Sequence, residues 1–154
     1  YNFQIHDATG MAGNGYDTIA VTGTLNLSSL TNGGFNINLW SLAGLAPEAD
    51  GNAIGFNSAS DYAWTILTAS GGITGFDADH FSINTGGNNG TSGFGNALDG
   101  GSFSLSQNGN DLRLNFTAVP EPSALLLGGF GMLALTFHRR RCTHSPGSTF
   151  NSPT

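Results

Sequence analysis

Apolar and polar residues alternate in short bursts from Tyr1 to Thr117, and each burst predicts a strand. Tyr1-Asn2-Phe3-Gln4-Ile5-His6 reads as a half-buried strand, with a turn region from Asp7 to Gly15. Thr18 to Leu27 is a β-branched strand in which Ile19, Val21, Leu25 and Leu27 fall on alternate positions around a bend at Gly23. Phe35 to Trp40 alternates cleanly, Leu45 to Ser60 reads as a loop, and Tyr62 to Ala69 is a further strand. Phe81-Ser82-Ile83 is a short strand, followed by an exposed glycine-asparagine loop from Gly86 to Gly101. Ser102 to Gln107 and Leu112 to Thr117 flank Asn108-Gly109-Asn110-Asp111, the best hairpin signal in the chain. No segment before Ala124 has helical periodicity. Short strands at fairly regular spacing fit a sandwich, a barrel or a stacked β-solenoid, and periodicity alone does not choose between them.

The pattern breaks at Val119-Pro120-Glu121-Pro122-Ser123. An uncharged, leucine-rich run follows from Ala124 to Phe137, and then the cluster Arg139-Arg140-Arg141. As a helix the run would be about 21 Å long, shorter than a bilayer core of about 30 Å. Extending it from Pro122 to His138 adds about one turn, and arginine snorkelling and local thinning narrow the gap further. Pro122 suits a first helical turn. Gly128, Gly129 and Gly131 are commoner in membrane helices than in water-exposed ones. A buried core helix is the competing reading for a run of this length. The arginines favour the membrane: three of the chain's four Lys+Arg residues stand in one cluster at the end of the apolar run. The positive-inside rule then places residues 1 to about 119 on the far side of the membrane.

Composition agrees with strands and turns. There are 24 glycines, no lysine, and only 9% charged residues, with a pI near 4.7. Before Pro120, Arg113 is the only Lys or Arg and stands against nine carboxylates, a surface that repels phosphate backbones and argues against nucleic-acid binding. The one cysteine, Cys142, lies beyond the apolar run, so the β region has no disulfide to rely on. The chain starts without methionine or signal peptide and reads as the C-terminal piece of a longer protein, its export signal expected upstream.

Val-Pro-Glu-Pro-Ser, a glycine-punctuated leucine run and consecutive arginines together resemble the PEP-CTERM sorting signal of Gram-negative envelope bacteria. In that family a membrane cysteine transpeptidase, exosortase, recognises Pro-Glu-Pro and removes the tail. The resemblance implies that Pro120, Glu121 and Pro122 carry recognition and that Arg139, Arg140 and Arg141 are the membrane stop. Residues 119–141 would be signal and anchor, with contact to the membrane over residues 122–138. Residues 142–154 would be a disordered cytoplasmic tail before processing. The phrases Gly15 to Leu25, Trp64 to Phe76 and Gly101 to Leu105 resemble the end of autotransporter-associated β-strand repeat proteins, in which a right-handed parallel β-helix precedes this region. The fold expected over residues 1–118 is therefore all-β. It would be the terminal coils and cap of such a helix, with the 102–117 hairpin as cover, or alternatively a β-sandwich. One short C-terminal transmembrane helix completes the expected architecture.

Candidate chemistry is sparse. Gly13-Asn14-Gly15-Tyr16-Asp17-Thr18-Ile19 matches most of a calcium-binding nonapeptide, but one copy lacks the neighbouring turn that completes such a site, and a turn before a strand is the plainer account. Asp77-Ala78-Asp79-His80 reads as a polar loop rather than a metal site. His6, His138 and Cys142 have no recognisable nucleophile or base partner. Trp40, Trp64, Tyr16 and Tyr62 could stack on sugars, but their alternation with polar residues favours core packing. Asn26, Asn89 and Asn115 head chance glycosylation triplets. No cofactor and no metal are expected. The function expected is a non-enzymatic exported envelope protein with a structural or adhesive role in an extracellular matrix, with exosortase and exopolysaccharide as partners. The alternative is a secreted carbohydrate-active enzyme or binding module, which would need Asp77, Asp79 and Asp99 to converge.

Overall fold

The computed structural model describes residues 1–45 and 48–120. Tyr1–Val119 forms one compact unit, and a second begins at Pro120. The first unit is built from β1 (Asn2–Ile5), β2 (Ile19–Val21), β3 (Leu25–Asn26), β4 (Phe35–Leu45) and β5 (Glu48–Asp50). It continues with β6 (Tyr62–Ala69), β7 (Ile73–Thr74), β8 (Phe81–Asn84), β9 (Ser102–Asn108) and β10 (Asp111–Thr117). A single 3-10 turn, Ala78–His80, precedes β8. The unit is therefore almost wholly β, and among the described residues no sheet closes into a barrel.

The bend read at Gly23 divides one expected strand into β2 and β3, and β7 is a short strand that the alternation did not signal. The expected loop from Leu45 to Ser60 needs correction. β4 runs past Trp40 as far as Leu45 and folds back against β5. Ser41 and Leu42 are buried, so the chain keeps extended pairing there to satisfy backbone groups that cannot reach water.

Strands distant in sequence pair in parallel. β4 carries β1 along Asn2↔Asn38 to Ile5↔Ser41 and β8 along Phe35↔Phe81 to Asn38↔Asn84. β2 pairs β6 in parallel, Ile19 opposite Leu67, and β3 pairs β7 in parallel, Leu25 opposite Ile73. On the other edge of β6 the pattern changes. The sheet order is β2-β6-β10-β9, and β10 is antiparallel to both β6 and β9. Gly109 has φ +59°, which the first central position of the two-residue β9–β10 turn requires.

Register places like on like. Phe3 faces Leu39, Ile37 faces Ile83, and the Phe35 and Phe81 rings meet edge-to-face at 5.7 Å. Phe3, Ile5, Ile37, Leu39, Trp64, Ile66, Leu112, Leu114 and Phe116 form one core, each nearly excluded from solvent. On β10 the alternation Leu112, Leu114, Phe116 is inward as the sequence implies. The side chain between the two buried isoleucine and leucine positions of β4 is Asn38, which is also buried. It sits in a ladder: Asn38 Nδ2 donates to Asn2 Oδ1 at 2.9 Å, and Asn84 Nδ2 donates to Asn38 Oδ1 at 3.1 Å. The loop between β8 and β9 covers this ladder. From it Asn88 donates to Asn38 and Asn89 to Asn2.

Replacing Asn38 with Ala removes the acceptor of the Asn84 and Asn88 amides beneath that loop. We expect a loss of about 2 kcal/mol for Asn38→Ala. The exposed neighbour substitution Asn36→Ala should stay within about 0.5 kcal/mol. Urea unfolding followed by tryptophan fluorescence measures both.

Candidate functional site

β10 delivers the chain to the segment singled out by the sequence. Phe116 is fully buried and its ring lies beneath Gly101, where any Cβ would overlap it. The rings of Phe56 and Phe103 pack edge-on or tilted against it, with Phe56–Phe116 centroids 5.0 Å apart and Phe103–Phe116 5.1 Å apart. The last strand is thus anchored up to Thr117. One residue later, the Ala118 N–H donates to Asp61 Oδ1 at 2.8 Å, across the chain from the start of β6. Ala118 still packs against the core, whereas Val119 is half exposed. Pro120 is exposed and has no N–H to continue a ladder. The ordered strand therefore ends at a fixed point, immediately ahead of Pro-Glu-Pro. Glu121 and Pro122, the expected membrane segment 122–138, Arg139, Arg140, Arg141 and the tail 142–154 lie outside the described residues. Among the described residues no helix is long and apolar enough to cross a membrane.

The Asp61–Ala118 contact was invisible to motif reading, since neither residue belongs to a recognised pattern. A lone aspartate one position before a strand is the only signal the sequence offers for it.

Other candidate residues are engaged within the fold. The Asp77 carboxylate caps the 3-10 turn by accepting from Asp79 N–H at 3.0 Å. Asp99 instead accepts from the Ser58 hydroxyl. Among the described residues no group of three or more His, Cys, Asp or Glu side chains could hold a metal ion. Trp64 is buried and its indole N–H donates to the Ala8 carbonyl, so its face is unavailable to a sugar. Tyr62 stacks on it at 5.1 Å, and Phe56 stacks on Tyr62 at 5.3 Å. Trp40 donates to Asp50 at 2.6 Å. Asn115 points its amide at Ser106, and Asn89 at Asn2.

An apolar cavity of about 210 Å³ is lined by Tyr1, Ile19, Leu25, Phe35, Ile66 and Leu112 among others. Tyr1 is its only ionisable side chain, so it offers no acid–base pair. Burial pushes the Tyr1 phenol up to about 12, with the Asp17 charge acting in the same direction.

The nonapeptide-like loop folds back on β1. Asp17 Oδ2 accepts from the Gln4 N–H at 3.0 Å and the Asp17 N–H donates to the Gln4 carbonyl at 3.0 Å, so the loop pairs with β1 as a strand would. Burial raises the Asp17 carboxyl above its ordinary range; the Gln4 N–H opposes this and the Glu48 charge adds to it. Two other carboxylates move the opposite way. The Ser92 hydroxyl and then the Trp40 indole hold Asp50 low, and Thr9 holds Asp7 low through its hydroxyl and N–H.

Comparison with known proteins places one feature on the chain. A PEP-CTERM protein-sorting motif matches residues 118–141. No curated protein and no solved structure matches.

Asp17 gives a pH test. A carboxyl raised in the folded state binds its proton more tightly there than in the unfolded chain. Its contribution to stability is therefore full at acid pH and is lost as pH rises through the folded value. Asp17→Asn keeps an acceptor for Gln4 but has no proton to lose. The variant should melt at the same temperature as wild type near pH 3 and higher than wild type at pH 7. Differential scanning calorimetry at the two pH values reads the difference.

Proposed function

We propose that this chain is an exported envelope protein that exosortase sorts and processes through its C-terminal signal. The observation that carries the reading is the sorting motif over residues 118–141, which begins one residue after the last strand ends. In this reading Pro120, Glu121 and Pro122 form the recognised tripeptide, residues 122–138 the membrane segment, and Arg139 to Arg141 the cytoplasmic stop. The low charge and lack of lysine suit a protein that works outside the cytoplasm by packing rather than by catalysis.

The first unit takes its place in the proposal as the last coils and cap of a right-handed parallel β-helix. Four parallel pairings support this: β4 with β1 and with β8, β2 with β6, and β3 with β7. Ile19↔Leu67 and Leu25↔Ile73 share one offset across the Gly23 and Gly71 corner, as successive coils would. The stack of Asn2, Asn38 and Asn84 is a side-chain ladder of the kind that in-register parallel stacking produces. Right-handed crossover is the default for parallel strands. The hairpin supplies the cover: β10 returns between β9 and β6, antiparallel, and blocks another parallel strand from stacking on β6. The phrases that resemble autotransporter-associated repeats fall on β2–β3, β6–β7 and β9. The role proposed for this unit is structural or adhesive, within an extracellular matrix. A carbohydrate-active role would need converging carboxylates, and Asp77 and Asp99 are committed to separate partners, the Asp79 N–H and the Ser58 hydroxyl.

Expression of the full chain behind an export signal, in a host with and without exosortase, tests the sorting step. The mass of the product should fall by the tail only where the enzyme is present. Replacing Pro120-Glu121-Pro122 with alanines should leave the full tail in the membrane fraction. A wild-type chain that keeps its tail beside an active enzyme overturns the proposal.

A further inference from the structure

We propose that Asp61 is a positioning residue for processing: its hydrogen bond to Ala118 fixes where the folded unit ends and so limits how fast the enzyme can engage Pro120-Glu121-Pro122. The inference rests on the sorting reading above and goes beyond it, because the sorting motif itself contains no part of β6 or of the residue ahead of it.

The argument is one of chain length. An enzyme that cleaves or transfers a peptide segment must draw residues on both sides of its recognition element into an extended path. On the N-terminal side of Pro120, two residues separate the tripeptide from the ladder of β10. Thr117 pairs with Ser102 across to β9, and Phe116 is buried beneath Gly101. The Ala118 N–H, two residues ahead of the proline, is held by the Asp61 carboxylate at 2.8 Å. Val119 is then the one residue between the clamp and the proline; it lies beside Gly100 and is about half exposed. At about 3.5 Å per residue, one free residue gives almost no reach. Releasing Ala118 roughly doubles it, and further slack requires unzipping β10 against an aromatic core, which is far costlier. Asp61 therefore controls the cheapest opening available at the junction. It is exposed and lies outside the buried core.

The test compares rates of tail removal by pulse-chase in the exosortase host, using the full chain. Asp61→Ala should be processed roughly five-fold faster than wild type, the population factor of losing one such hydrogen bond. Asp61→Asn, whose amide oxygen still accepts from Ala118, should stay near the wild-type rate. Insertion of Gly-Ser-Gly-Ser after Val119 supplies slack without touching the clamp. It should accelerate processing to a similar degree, and adding Asp61→Ala to it should bring less than about two-fold more. Equal rates for wild type and Asp61→Ala, or equal acceleration by Asp61→Asn and Asp61→Ala, overturn the inference. If Asp61→Ala unfolds, as read by tryptophan fluorescence, the insertion variant decides alone, and an unchanged rate there overturns it. A wild type that is processed while every variant matches it removes this inference and leaves sorting intact. A wild type that is never processed removes sorting and this inference together.

Discussion

The first unit depends on β4 being hydrogen-bonded along both edges to strands far away in sequence. β1 lies on one side and β8 on the other, with Asn2↔Asn38 and Asn38↔Asn84 sharing one position of β4. A central strand with two parallel neighbours must be buried on both faces. β4 meets this requirement in two ways. Ile37 and Leu39 face the main core, while Asn38 faces a loop that would otherwise leave its amide unsatisfied. Shifting the register by one residue would drive Asn38 into the core and the leucine beneath the polar loop, so the ladder and the core fix each other.

Charge contributes little to this arrangement. Among the described residues one ion pair is present, Arg113 with Asp111 at 3.7 Å, both partly exposed, and such pairs stabilise weakly. The carboxylates serve instead as hydrogen-bond acceptors for the backbone and for neutral donors. Asp17 closes an edge of β1, Asp77 caps a turn, Asp50 takes the Trp40 indole and the Ser92 hydroxyl, and Asp61 takes the Ala118 N–H. Asp17 and Asp61 use an acidic oxygen where a strand ladder runs out. That is an economical use of acids in a chain with no lysine, because an edge or end left open would expose unpaired backbone groups.

The same logic operates at the two ends of the strand stack. At β1 a loop with an aspartate imitates a neighbouring strand, and at β6 an antiparallel hairpin replaces the parallel neighbour. The chain leaves the second end through Ala118 and enters the sorting motif with the fold still closed behind it.

The sequence alone determined the local elements and the address. Alternation located β1, β6, β8 and the β9–β10 hairpin, because strands half-exposed to water must alternate. It also located the Pro-Glu-Pro segment and the arginine cluster, whose meaning lies in composition and order along the chain. β5, β7 and the extension of β4 past Trp40 were not legible, since short strands of small or polar residues acquire their pairing from neighbours rather than from their own pattern. Nor could the sequence rank Asn38 above the many other asparagines, or Asp61 above the other acids. Those roles arise when residues far apart are brought opposite each other, Asn2 beside Asn38 and Asn84, Asp61 beside Ala118. Only tertiary structure decided them, because hydrogen bonding between distant segments is a property of register and enclosure, which no local run of residues contains.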